Sequence, residues 1–160
     1  MSALYSDPAV WEHLPAGRHT TRARTRLLLE SIGASWDAVG VGSWVARDGA
    51  GALVGTGGCD LRLGVAWNLG YRLARASWGR GLAQEITTAA LEAARVRRPD
   101  LPVTAYLLEH NERSRRAAER AGLDLVWSGP DAGNPDPGAV RLLFADRRLE
   151  AGTVELLTAT

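Results

Sequence analysis

The spacing of apolar residues changes several times along the chain, and these changes predict a mixture of helices and strands. From Leu82 to about Arg97 the apolar residues recur at helical spacing, as in a helix that lies on a sheet. Its buried side is predicted to consist of Leu82, Ile86, Ala89, Ala90 and Ala93. Short apolar segments bounded by glycine or proline predict strands. The predicted elements in order are helical turns within 2–14, a helix at 20–36, strands at 41–47, 52–58, 59–64 and 66–74, a helix at 82–97, a strand at 103–108, a helix at 111–121 and strands at 123–128 and 139–145.

This order predicts an α+β, or mixed α/β, fold with helices on both sides of a curved central sheet. The chain has 160 residues, which is enough for one domain with a sizeable core. We expect residues 1–160 to form that single domain, with a weakly structured tail at about 150–160 because the pattern fades there.

Composition narrows the possible functions. A net charge of +1 gives no reason to expect a nucleic-acid or membrane-surface partner. All 19 basic residues are arginine, so lysine-dependent P-loop and Schiff-base chemistry is excluded. The single cysteine, Cys59, rules out a disulfide framework within the chain and suits a reducing cytoplasm. With one cysteine and scattered histidines, we expect no metal site.

A glycine-punctuated loop precedes the helix at 82–97. Its sequence, Trp78-Gly79-Arg80-Gly81, leads from a predicted strand into the helix. Helix N-termini carry unpaired amides and a positive dipole end, and glycine lets a ligand approach the backbone, so the loop is a candidate phosphate site. An ordinary strand-to-helix connection explains the same local sequence equally well.

Two segments together resemble the GNAT superfamily of N-acetyltransferases, which use acetyl-coenzyme A. They are NLGYRLARASWGRGLAQEI and AYLLEHNERSRRAAERAGL. The WGRG variant is similar to the RimJ/RimL-like branch, as are the early SDPAVWEHLP and the late RLLFADRRL. That branch usually opens with a strand that this sequence lacks, and residues 153–157 are a candidate to fill the gap. The resemblance implies a GNAT-like fold and direct attack of a primary amine in a ternary complex.

The resemblance also implies where acetyl-coenzyme A binds. Main-chain groups around Leu73 and Ala74 are expected to hold the pantetheine and the thioester carbonyl. Asn111 is expected to contact the cofactor, and Ser114 to protonate the leaving thiolate, although a simple helix cap also explains Asn111-x-x-Ser114. The glycine loop and the first turn of the helix are expected to hold the pyrophosphate, through Trp78, Gly79, Arg80, Gly81, Leu82 and Ala83.

The general base and the acceptor are less well defined. Glu109 and Asp60 are candidate bases, as is Asp131. Tyr71 and His110 are weaker candidates, and the acceptor pocket is a candidate place for His13 and His19. The acceptor is expected to be a protein N-terminus or a small-molecule amine, and a homodimer is left open. A catalytically weak domain that binds acyl-coenzyme A as a sensor or interaction module remains the alternative, and a nucleotide-binding domain is remote without GxGxxG.

Overall fold

A six-stranded mixed sheet forms the centre of the protein. The computed structural model describes residues 1–131 and 133–159. The strand order is β1-β2-β3-β4-β6-β5, and the β3–β4 pair is parallel while the other neighbours are antiparallel. This mixed sheet with helices on both faces confirms the predicted fold class. The strands are β1 Trp44–Arg47, β2 Leu53–Arg62, β3 Ala66–Leu73, β4 Val103–Leu108, β5 Asp124–Pro130 and β6 Val140–Ala145.

Five α-helices accompany the sheet, and short 3-10 turns lie at Pro8–Trp11, Pro15–Gly17 and Arg75–Ser77. The helix predicted at 82–97 is confirmed, and the two strands predicted at 52–58 and 59–64 are one continuous strand, β2. Cys59 ends an unbroken run of buried residues, 54–59, so no turn separates the two halves. The helices are α1 Ser2–Ser6, α2 Arg22–Val39, α3 Leu82–Arg97, α4 Glu112–Arg120 and α5 Ala151–Thr158.

The main core lies between the sheet and the helices α3 and α4. Trp67 and Val103 of the sheet are fully buried there, against Ala90 and Ala94 of α3. The buried residues of α3 are Thr87, Ala90, Leu91 and Ala94. Of the predicted stripe, Ala90 is buried, Leu82, Ile86 and Ala93 are half-buried, and only Ala89 is exposed. Helix α3 lies close to β2 because residue 57 is glycine. A Cβ at Gly57 would come within 2.6 Å of the Ile86 side chain.

The opposite face of the sheet carries the N-terminal segment and α5. Tyr5 bonds Thr56 of β2 through their hydroxyls at 2.9 Å. The prediction of a weakly structured tail is wrong, because residues 151–158 form helix α5. Leu157 is completely buried against Ala66 and Leu143, and this burial stabilises the helix. Because residues 153–157 are helical, they add no strand to the sheet, and that prediction is also wrong.

The strands β3 and β4 separate beyond their first residues. Their pairing consists of Trp67 with Val103 and Asn68 with Thr104. The remaining part of β3 stays paired with β2 up to Leu73. The two parallel strands therefore leave a gap between their C-terminal ends, and the helices α3 and α4 begin beside that gap.

Candidate functional site

A cavity of about 720 Å³ lies where the C-terminal part of β3 meets the N-termini of α3 and α4. The 3-10 turn Pro8–Trp11 and the residues that follow it, up to His13, form another wall. Eight of the predicted site residues line this cavity, as do Tyr71, His110 and His13. The eight are Leu73, Trp78, Gly79, Gly81, Leu82, Ala83, Asn111 and Ser114.

The N-terminus of α3 opens into the cavity without a side-chain cap. Gly81 is the N-cap residue and has a φ of 78°, and Gly79 has a φ of 74°. Both values lie in the left-handed region that favours glycine. The first main-chain acceptor used inside the helix is the Gly81 carbonyl, which receives the amides of Gln84 and Glu85. The amides before Gln84 have no acceptor inside the helix and lie at the positive end of its dipole. This N-terminus therefore has the chemistry to bind phosphate.

Trp78 holds the glycine loop in place. Its indole Nε1 donates a hydrogen bond to the carbonyl of Leu73 at 3.0 Å. The guanidinium of Arg113 lies 4.4 Å from the centre of the indole ring. Trp78 therefore links the loop to β3 on one side and to the first turn of α4 on the other.

The free edge of β3 presents main-chain groups to the gap. The Trp67 amide bonds the Pro102 carbonyl on the β4 side, whereas the Ala74 amide bonds Val54 on the β2 side. Since main-chain groups alternate along a strand, the amides of Tyr71 and Leu73 point toward the gap. Ala74 does not line the cavity: its amide bonds the Val54 carbonyl and its carbonyl accepts from the Ser77 amide, so its cofactor contact stays a prediction.

The N-terminus of α4 brings a hydroxyl pair into the cavity. Asn111 is the N-cap, and its Oδ1 accepts the Ser114 amide at 3.3 Å. The phenol of Tyr71, on β3 across the gap, is a neighbour of the Ser114 hydroxyl, and both residues line the cavity. Burial raises the pKa of Tyr71 above its usual value, while Ser114 and the charge of Arg120 oppose the rise. Tyr71 is therefore a neutral phenol at neutral pH.

Two cavity residues were not identified from the sequence, Glu12 of the N-terminal wall and Arg72 of β3, whereas His13 was a candidate for the acceptor pocket. Glu12, Arg72 and His13 line the cavity together, and His110 Nε2 lies 2.9 Å from the His13 carbonyl oxygen. Burial first, and then the charges of Arg72, His110 and Arg141, lower the pKa of His13 to about 4, against the opposing charge of Glu12. An arginine inside an otherwise apolar strand, Tyr71-Arg72-Leu73, was the signal available for Arg72. No local signal marked Glu12, because tertiary contacts bring its segment to β3.

Several predicted residues lie outside the cavity. Asp60 sits toward the other end of β2, where Ser43 donates to it from its amide and its hydroxyl at 3.1 Å and 2.8 Å. Glu109 is exposed beside the cavity, and Arg80 is exposed on the loop. Asp60, Glu109 and Arg80 therefore do not line the cavity, and the roles expected of them stay predictions.

Two further candidates have structural roles. Asp131 pairs with Arg141 at 3.0 Å and accepts a bond from Asn134. His19 is buried, stacks on Tyr5 and shares a 3.0 Å hydrogen bond with the Thr25 hydroxyl. Neither lines the cavity.

No group of histidine, cysteine and carboxylate side chains within 1–131 and 133–159 has the arrangement to hold a metal ion. Over the same ranges, no helix is long and apolar enough to cross a membrane.

Comparison with known proteins identifies a family model that matches most of the chain. Residues 1–124 match the model of the acetyltransferase (GNAT) domain. A GNAT-family acetyltransferase from Bacillus anthracis is similar in structure, with a TM-score of 0.73 and 17% identity over 91% of this chain and 85% of that one.

Two other solved structures contain coenzyme A species. One is a phosphinothricin acetyltransferase from Sinorhizobium meliloti in complex with acetyl-coenzyme A (TM-score 0.72, 15% identity, 96% and 83% of the two chains). The other is spermidine N-acetyltransferase from Vibrio cholerae in complex with coenzyme A and spermine (TM-score 0.71, 12% identity, 90% and 85%). At these identities the likeness concerns the fold.

Proposed function

The chain belongs to the GNAT acetyltransferase family, and from this premise we propose that it is an acetyl-coenzyme A-dependent N-acetyltransferase acting on a primary amine. One observation carries the proposal. The uncapped N-terminus of α3 and the Ser114–Tyr71 hydroxyl pair open into one cavity at the gap between β3 and β4. A phosphate-binding end and a proton-donating pair are what a thioester of coenzyme A requires.

The residues of the cavity suit acetyl-coenzyme A. The amides at Gly81, Leu82 and Ala83 would hold the pyrophosphate, and the amides of Tyr71 and Leu73 would face the pantetheine and the thioester carbonyl. When bound, the thioester supplies an activated acetyl group. An amide directed at its carbonyl oxygen stabilises the negative charge that develops there.

Two proton movements complete the transfer by direct attack. The amine nitrogen forms a bond to the carbonyl carbon, the carbon–sulfur bond breaks, and Ser114 donates a proton to the departing sulfur. Tyr71, a neutral phenol next to Ser114 in the cavity, would replace that proton. We assign removal of the amine proton to Glu12, acting through water, because it lines the cavity and forms no ion pair with any described residue. Glu112 also lines the cavity but binds Arg116 at 2.6 Å.

The acceptor class does not follow from the fold. The neighbours above are named for phosphinothricin and for spermidine, which are chemically unlike. We propose the RimJ/RimL-like branch on the Trp78-Gly79-Arg80-Gly81 loop, with a protein N-terminus or a small amine as acceptor.

A thiol-release assay with acetyl-coenzyme A over small amines, amino acids and N-terminal peptides tests the function. Turnover of at least one amine supports it, whereas binding of coenzyme A without any turnover supports the sensor alternative. Glu12→Gln should lower kcat by about 10- to 100-fold if Glu12 is the base. The matched control is Glu109→Gln, an exposed carboxylate outside the cavity, which should leave kcat unchanged. The opposite ranking would contradict the assignment.

A further inference from the structure

Arg72 is an arginine of β3 whose side chain lies on the face opposite to that of Tyr71. Its guanidinium carbon stands 3.5 Å from the centre of the Trp11 ring and 5.9 Å from that of Tyr5. Nη1 donates a hydrogen bond to the Val10 carbonyl at 3.3 Å. These contacts fix the position of the guanidinium at the cavity wall, where Arg72 is partly buried.

No carboxylate balances the charge of Arg72 within the described residues. Arg141, another partly buried arginine, differs in this respect because Asp131 lies 3.0 Å from its Nε. Arg72 forms no such ion pair with residues 1–131 or 133–159, and burial lowers its pKa. A buried charge without a partner is costly, and a guanidinium has five donors, of which the Val10 carbonyl uses one. Arg72 therefore has an unbalanced charge and further hydrogen-bond donors with which to bind an anion in the cavity.

The charges around His13 are mostly positive. Burial is the largest cause that lowers its pKa; the charges of Arg72, His110 and Arg141 act in the same direction, and that of Glu12 acts in the opposite one. A field that disfavours an imidazolium also disfavours an ammonium ion at that place. It would help an amine to lose its proton before attack, and it opposes acceptors that carry several positive charges.

We propose that the acceptor of this enzyme is a small amino carboxylate whose carboxylate group is bound by Arg72. The inference rests on the proposed function, since it assigns the second substrate of the same cavity. Glu12 then lies on the same wall for the amine, so the two charged ends of an amino acid meet side chains of opposite charge.

Matched acceptors test this assignment. The probes are the standard L-amino acids and the corresponding amino acid amides, with spermidine as a polycation, assayed by thiol release at saturating acetyl-coenzyme A. At least one amino acid should exceed its own amide in kcat/KM by about 10- to 100-fold, the range that a charge-assisted pair contributes. Arg72→Gln should abolish this preference by raising KM for the amino acid, with little change for the amide.

A purely structural role of Arg72 gives a different result. If Arg72 only anchors Val10 and Trp11, Arg72→Gln lowers activity toward acid and amide equally, which overturns the proposal. The control is Arg47→Gln, a strand arginine that donates to the Gly51 carbonyl at 2.9 Å outside the cavity and should leave the preference intact. Amides or spermidine preferred over all amino acids would also overturn it.

Direct binding separates this inference from the proposed function. Calorimetric titration with the same amino acids, in the presence and absence of coenzyme A, measures carboxylate binding without turnover. Failure to bind coenzyme A overturns the proposed function, and the amino acid titration then still decides the role of Arg72. Absence of amino acid binding and turnover in every condition overturns the carboxylate assignment alone.

Discussion

The N-termini of α3 and α4 border the same cavity but are built differently. At α3 the N-cap is Gly81, with positive φ and no side-chain bond to the first amides. At α4 the N-cap is Asn111, whose Oδ1 accepts the Ser114 amide. A free helix end can bind an anion, whereas an end closed by its own side chain is stabilised but less available. The closed end instead positions a hydroxyl, since Ser114 meets Tyr71.

The difference assigns the two ends separate tasks. In the proposed reaction, the open end at α3 would provide charge and amides for phosphate, and the glycines cost stability to keep it open. The capped end at α4 would provide the proton donor near the gap where the thioester would lie. The strand β3 runs between them and contributes Tyr71 and Leu73 to the cavity.

Closing the open end should have the largest effect. Gly81→Val places a branched side chain at a φ of 78°, beside the amides that would hold phosphate. We expect affinity for coenzyme A to fall at least about 100-fold and stability to fall by about 2 kcal/mol. Gly64→Val, at a φ of 73° in the β2–β3 turn, should cost similar stability without affecting binding. Equal loss of affinity in both variants would show that strain, and not the site, is responsible.

Removing the hydroxyl at the capped end should affect chemistry and leave binding intact. Ser114→Ala should lower kcat by about 10- to 100-fold, with KM for acetyl-coenzyme A changed less than about threefold. Tyr71→Phe should lower kcat by less, and the double variant should be no worse than Ser114→Ala, because the two hydroxyls act in series. Coenzyme A binding with unchanged turnover in Ser114→Ala would remove the proton-donor assignment. Stopped-flow thiol release at several pH values makes the measurement.

Opening the capped end separates the two possible roles of Asn111. Asn111→Ala should destabilise the protein by about 1 kcal/mol through loss of the cap. Asn111→Ser keeps a capping hydroxyl and should restore most of that stability, as read from thermal unfolding. If coenzyme A affinity falls in both variants, Asn111 contacts the cofactor as well. If affinity is unchanged in Asn111→Ser, the residue is a cap alone.

The smallest expected effect is on the pH dependence of Tm in His13→Gln. This variant tests whether the positive field extends beyond the two helix ends to His13. Its pKa is lowered to about 4, chiefly by burial, from an ordinary value of 6.5. Between pH 4 and 6.5, residue 13 binds more protons in the unfolded chain than in the folded protein. The stability that comes from burying a neutral His13 is therefore fully present above pH 6.5 and is lost as pH falls toward 4. The Tm of the native protein should therefore fall more steeply between pH 7 and about 5 than that of His13→Gln. Parallel curves would contradict the lowered pKa.

Much of the cofactor side could be predicted from sequence because it is local. The loop at Gly79 and Gly81 runs directly into α3, and Asn111 caps the helix that carries Ser114. Each of these features spans a few neighbouring residues with a defined backbone chemistry. The sequence of the loop fits a phosphate site and a plain strand-to-helix connection equally well. The absence of a side-chain cap at the N-terminus of α3 favours the phosphate site.

On the acceptor side, His13 was a candidate from the sequence but Glu12 and Arg72 were not, because distant segments form this wall. Glu12 and His13 reach β3 through packing of Trp11 on Arg72, a contact between residues far apart in sequence. Asp60 was a reasonable candidate by residue type, but Ser43 occupies both of its oxygens. The helix α5 was missed because its apolar spacing is weak, and the burial of Leu157 decides its structure.

The most direct test of the two-ended site is calorimetric titration of the protein with coenzyme A and with pantetheine. Pantetheine has the thiol end but no pyrophosphate, so it can use the gap and α4 but not the N-terminus of α3. We predict micromolar binding of coenzyme A and at least about 100-fold weaker binding of pantetheine. Equal affinities, or no binding of coenzyme A, would contradict the account.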